Sequence, residues 1–138
     1  MKHWIRFVVM LSSTVVGAEE KPAANVYDVS VNTTPASPKV GDSIQYNITI
    51  TPIEPQVLKV ETPFKTSLSA TAGLKLEQEK FASKDFVDPK TAAKSLQTKA
   101  KVLASGKQAI TAEMSFFLCT KEICQRYEHK VQHELNVP

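Results

Sequence analysis

The stretch GDSIQYNITI, residues 41–50, alternates without a break: Ile44, Tyr46, Ile48 and Ile50 are apolar, and Ser43, Gln45, Asn47 and Thr49 are polar. Side chains of a strand point to opposite faces in turn, so the pattern buries one face and wets the other, as in an antiparallel sheet with one solvated side. On a helix the same four apolar residues would scatter around the circumference and form no common face. Gly41-Asp42 supplies the turn that opens the strand.

Working outward from there, Val26 to Val31 reads as a short strand, and Thr33 to Lys39, with Pro35 and Pro38, as a turn. On the other side Pro52 and Pro55 punctuate the chain, and Val57 to Glu61 and Lys65 to Ala70 read as short strands. Gly73 then turns into Leu74-Lys75-Leu76. Residues 77–94 carry Phe81 and Phe86 among many charges and read as a long excursion with a helical turn. Alternation returns at Leu96, Thr98, Ala100 and Val102. Ser105-Gly106 turns, Lys107 to Cys119 runs as a long strand, and Tyr127 to Val137 closes the chain. About seven or eight short strands with turns every ten or so residues predict an all-β, immunoglobulin-like antiparallel β-sandwich, a single domain over residues 26–138.

The last two strands can be put in register from the sequence alone. With Cys119 opposite Cys124, counting outward sets Glu113 against Lys130, an opposite-charge pair, and Phe117 against Arg126, a cation beside an aromatic ring. On the alternate face Ile110 meets His133, Ala112 meets Val131, Met114 meets His129 and Phe116 meets Tyr127. A slip of one residue would carry one strand's apolar set to the wet face, so burial favours this register. Both cysteines take the parity of the polar face, at the tip of the hairpin and open to solvent.

The amino terminus reads as an export signal over residues 1–18: Lys2 and Arg6, an apolar run from Phe7 to Leu11, and the small residues Val16-Gly17-Ala18 before the cut. Residues 19–25 follow as a polar, flexible leader. No later stretch reaches the roughly 18 uninterrupted apolar residues of a membrane span. Without Lys2 and Arg6, 15 of the 17 basic residues remain against 14 acidic ones. A chain so close to neutral, with no basic stripe, lacks the phosphate-neutralising surface of a nucleic-acid binder. Export places the cysteines in an oxidising compartment, where a disulfide persists.

Cys119 and Cys124, with four residues between them, support several chemistries. As a staple they close so short a loop that the unfolded chain is constrained by only about 2 kcal/mol. As an exposed pair they would be open to an attacking thiolate. With His129 and His133 they form a string of zinc-ligand types, but two histidines four apart on a strand are about 13 Å from each other, too far for one ion. A thiol hydrolase would need an orienting Asn or Asp that cannot be identified. No metal and no cofactor is expected. The structural and the redox readings stay open on the residues alone.

The order GDSIQYNITI, ETPFKTSLSATAGLKLEQEKF, SLQTKAKVLASGKQAITAEMSFFLCTKEIC and HKVQHELNV resembles the amino-terminal domain of the thiol:disulfide interchange protein DsbD and its stand-alone periplasmic relatives. The resemblance covers about residues 26–137, and its most specific part is the long strand ending in the cysteine pair. It implies thiol-disulfide exchange at Cys119 and Cys124. Cys124 would attack the partner's disulfide and Cys119 would resolve the mixed disulfide. It also implies partners that are separate thioredoxin-fold periplasmic proteins or a membrane electron transporter, and aromatic cap residues for which Phe64, Phe81 and Phe86 are the candidates. A monomer is expected. The rival reading is a binding or scaffold module whose disulfide only fastens the hairpin, with Phe117 as a contact.

Overall fold

In the computed structural model, which describes residues 26–138, the alternating segments become eight strands. The expected export signal and leader lie outside the described residues. The strands are β1 (Tyr27–Thr34), β2 (Ser43–Pro52), β3 (Phe64–Ala70), β4 (Leu74–Leu76), β5 (Lys80–Ala82), β6 (Lys94–Val102), β7 (Gly106–Cys119) and β8 (Cys124–Val137). They form two four-stranded antiparallel sheets, β1-β2-β6-β4 and β5-β3-β7-β8. With β5 set aside, the first sheet holds the first, second, fifth and fourth strands and the second holds the third, sixth and seventh, which is the strand distribution of an immunoglobulin-type sandwich.

The core lies between the inner faces. Ile44, Tyr46, Ile48 and Ile50 of β2, each 1% exposed, and Leu96, Ala100 and Val102 of β6 face Ile110, Ala112, Met114, Phe116 and Leu118 of β7. Burying each of the larger side chains contributes roughly 1.5–3 kcal/mol. Gly41 (φ 96°) and Gly106 (φ 99°) stand at the expected turns, in a backbone conformation that side chains with a Cβ resist.

The hairpin pairs as the sequence requires, from Gly106↔Val137 to Cys119↔Cys124 without a bulge. Lys130 and Glu113 meet at 3.5 Å, both exposed. Because β8 is an edge strand, its inward residues Tyr127, His129, Val131 and His133 are only half-buried, and burial completes at Leu135 and Val137.

Two expectations change. Val57 to Glu61 is not a strand: only Val57 makes a bridge, to Cys119, after which the chain turns, with the Thr62 amide and hydroxyl donating to the Lys59 carbonyl at 3.2 and 2.6 Å. The excursion at 77–94 contains the short strand β5, paired to β3, and a 3-10 turn over Ser83–Asp85 whose Asp85 carboxylate accepts the Ala82 amide at 2.8 Å. At its end the ammonium of Lys94, a buried residue, donates to the carbonyls of Pro89, at 2.8 Å, and Thr91.

Candidate functional site

The hairpin tip brings Cys119 and Cys124 together because of how the backbone points. The Cys119 amide donates to the Val57 carbonyl at 2.8 Å, and its carbonyl accepts from the Val57 amide at 2.9 Å. Along an antiparallel ladder the N–H and C=O of one residue point the same way, so those of Cys119 point away from β8. Cys119 and Cys124 are therefore a non-hydrogen-bonded pair, the kind in which opposed Cα atoms come closest, and here they stand 3.9 Å apart, joined by a disulfide. The connecting loop is tied to itself: the Thr120 amide donates to the Ile123 carbonyl at 2.8 Å, and the Thr120 hydroxyl accepts the Glu122 and Ile123 amides at 3.3 Å.

The expectation that both sulfur-bearing residues are open to solvent is half corrected. Cys124 is exposed, but Cys119 is only 1% exposed. Parity sets the sheet face of a strand residue and says nothing of what flanks it. Here Cys119 shares the wall of an open groove of about 540 Å³ with Pro55, Val57, Lys59 and the turn residues Thr120, Lys121 and Glu122. Large apolar side chains stand exposed around this end of the molecule, Ile123 at 66% and Val57 at 51%. Pro55, Val57 and Lys59 are the site residues missed in the sequence, where Pro55 reads as punctuation and Val57 and Lys59 as part of a short strand.

The aromatic residues suggested as a cap are not one. Phe64, Phe81 and Phe86 are all buried in the core, Phe64 and Phe86 with ring centroids 4.7 Å apart, and Phe64 tilted against Phe116 at 6.5 Å. Phe117 is half-buried. Arg126 lies opposite Phe117, as expected, but its guanidinium is engaged by the Ser115 hydroxyl at 3.0 Å and the Glu128 carboxylate at 2.8 Å. That leaves Lys59 and Lys121 as the cations lining the groove, with Glu122 beside them.

The two histidines serve elsewhere. His129 Nδ1 shares a hydrogen bond with the Tyr27 hydroxyl at 3.0 Å, and His133 Nε2 with the Thr33 hydroxyl at 3.2 Å. Both bonds join β8 to β1 and so tie the edge of one sheet to the edge of the other. Tyr27 also packs edge-on against Phe116, Tyr127 and His129. Burial lowers the pKa of His129 below its ordinary value. It raises that of Tyr27, with Tyr127 adding to the effect. Among the described residues, no helix is long and apolar enough to cross a membrane.

No family model and no curated protein matches the chain. Among solved structures, a conjugative transposon lipoprotein from Bacteroides eggerthii is similar at 7% identity and a TM-score of 0.47, covering 82% of this chain and 99% of that one. AggA, the major subunit of aggregative adherence fimbriae type I from Escherichia coli, is similar at 18% identity and a TM-score of 0.38, over 81% of this chain and 95% of that one.

Proposed function

We propose that the chain is an exported periplasmic domain that exchanges thiols and disulfides with thioredoxin-fold partners through Cys119 and Cys124, in the manner of the amino-terminal domain of DsbD. The observation that carries this reading is the asymmetry of the pair: Cys124 is exposed at the tip, Cys119 is enclosed, and an open groove with exposed apolar side chains adjoins them. Access decides which sulfur an incoming thiolate can reach. A partner thiolate attacks Cys124 Sγ, the bond to Cys119 breaks, and Cys119 leaves as a thiolate that takes up a proton. The partner's second thiol then displaces Cys124, so two electrons and two protons pass from the partner's dithiol to the domain. In the opposite sense the Cys124 thiolate attacks a target disulfide, and Cys119 resolves the mixed disulfide and completes its reduction.

The test is the reduction potential, set by equilibration with glutathione, together with trapping. Exchange predicts a potential above about −300 mV and a covalent adduct between a Cys119→Ala variant and an oxidised thioredoxin-fold protein. A potential well below that value, or a disulfide that a reduced thioredoxin-fold protein leaves intact, would leave only the hairpin staple.

A further inference from the structure

A sheet edge exposes a row of unpaired backbone groups, and folded proteins blunt such edges with short strands, prolines, bulges, inward-pointing charges or a covering segment. Two of the four edges here are blunted by shortness, and a third is of ordinary length. Edge strands β4 and β5 have 3 residues each, and β1 has 8 and runs directly into Pro35. The fourth edge, β8, is different. It runs for 14 residues, has no proline from Cys124 to Val137, and pairs with β7 without a bulge. Its inward side chains from Tyr127 to Val137 include no Lys, Arg, Asp or Glu, and among the described residues no strand lies beyond it.

The direction of its free backbone groups follows from the tip. Because the groups of Cys119 point to Val57, those of Leu118, Phe116 and Met114 point to β8 and meet Gln125, Tyr127 and His129. The even-numbered residues from Arg126 to Glu134 therefore turn their N–H and C=O outward. Their side chains read Arg126, Glu128, Lys130, Gln132, Glu134, with charge signs that alternate.

The geometry points to an antiparallel pairing of β8 with β8 of a second copy of this chain, about a two-fold axis through His129. In that register Glu128 faces Lys130 of the second copy twice, Arg126 faces Gln132, Tyr127 faces Val131, and no like charges are opposed. An axis through Glu128 would oppose Arg126 to Lys130, one through Lys130 would oppose the two lysines, and one through Val131 would oppose Glu128 to Glu134. The pairing joins the two β5-β3-β7-β8 sheets into one and leaves the groove beside Val57, on the other side of β7, uncovered.

Sedimentation equilibrium of the disulfide-bonded chain from micromolar to millimolar concentration tests the pairing. The expected result is a reversible dimer that Lys130→Glu weakens about tenfold, through two like-charge pairs, and that Glu128→Lys combined with Lys130→Glu restores. The double variant also separates this register from an axis through Gln132, where Lys130 would face Glu134 and the swap would restore nothing. Lys130→Glu also opposes Glu113 within its own hairpin and Glu128→Lys loses the pair with Arg126, so a cooperative melting transition, shifted by no more than these exposed pairs account for, confirms that the variants fold. A monomer at every concentration, a dimer indifferent to Lys130→Glu, or a double variant no better than the single one would overturn the proposal.

Discussion

Cys119 and Cys124 share a bond but not an environment, and the difference is measurable once the bond is reduced. Cys124 faces solvent at the start of an edge strand, whereas Cys119 is enclosed at the wall of the groove. Alkylation of the reduced protein, followed residue by residue by mass spectrometry, is expected to modify Cys124 at least about tenfold faster than Cys119, since thiol reactivity follows access. Equal rates would remove the asymmetry on which the proposed exchange rests. His129 gives a second expectation at this scale. Its pKa in the folded chain lies below the ordinary value of 6.5 because burial disfavours the charged ring. The unfolded chain therefore binds the proton more tightly. The fold keeps its full stability above pH 6.5, loses some as the pH falls from there toward the lower folded value, and loses no more beneath it. His129→Gln, which has no such proton to bind, is expected to melt with a flatter pH dependence between pH 8 and 5. If both proteins show the same slope, the group responsible lies elsewhere.

Among the elements, the β7–β8 hairpin is the one most legible in the sequence, because two constraints agree on it. Opposite charges match on one face and apolar residues on the other, and a one-residue slip would undo the burial. The same reasoning orders the energetics of its residues. Phe116 is completely buried and in contact with Tyr27, Phe64 and Tyr127, so Phe116→Ala is expected to destabilise the fold by about 3–5 kcal/mol in urea titration. Glu113→Ala, which removes only the exposed pair with Lys130, should change stability by less than about 1 kcal/mol. Comparable losses from the two would mean that the faces are wrongly assigned. Elsewhere periodicity failed for identifiable reasons. Strand β5 has 3 residues, too few to show alternation, and the many charges around Phe81 and Phe86 hide that both rings enter the core. The enclosure of Cys119 depends on the segment around Val57, which is distant in sequence and whose reading as a strand gives no sign of the contact.

For the whole molecule the question is whether the fold outlasts its disulfide, because a domain that cycles between two redox states must be folded in both. The cross-link spans a sequence separation of 5, and closing so short a loop constrains the unfolded chain by only about 2 kcal/mol. A typical domain has a net stability of about 5–15 kcal/mol. Most of the fold is held by other means: the core between the sheets, the backbone ladder between β7 and β8 and the two hydrogen bonds from His129 and His133 across the β1–β8 seam, none of which is made by the bond between the two cysteines. The Cys119 amide and carbonyl also remain bonded to Val57 when the sulfurs part, since those bonds are made by the backbone. Reduction is therefore expected to leave the far-UV circular dichroism unchanged and to lower the free energy of unfolding by about 2 kcal/mol in urea titrations of the oxidised and reduced chains. A loss of only that size is compatible with reversible exchange. Collapse of the cooperative transition on reduction would instead make the bond a structural requirement, and the proposed redox cycle would have no folded reduced state through which to run.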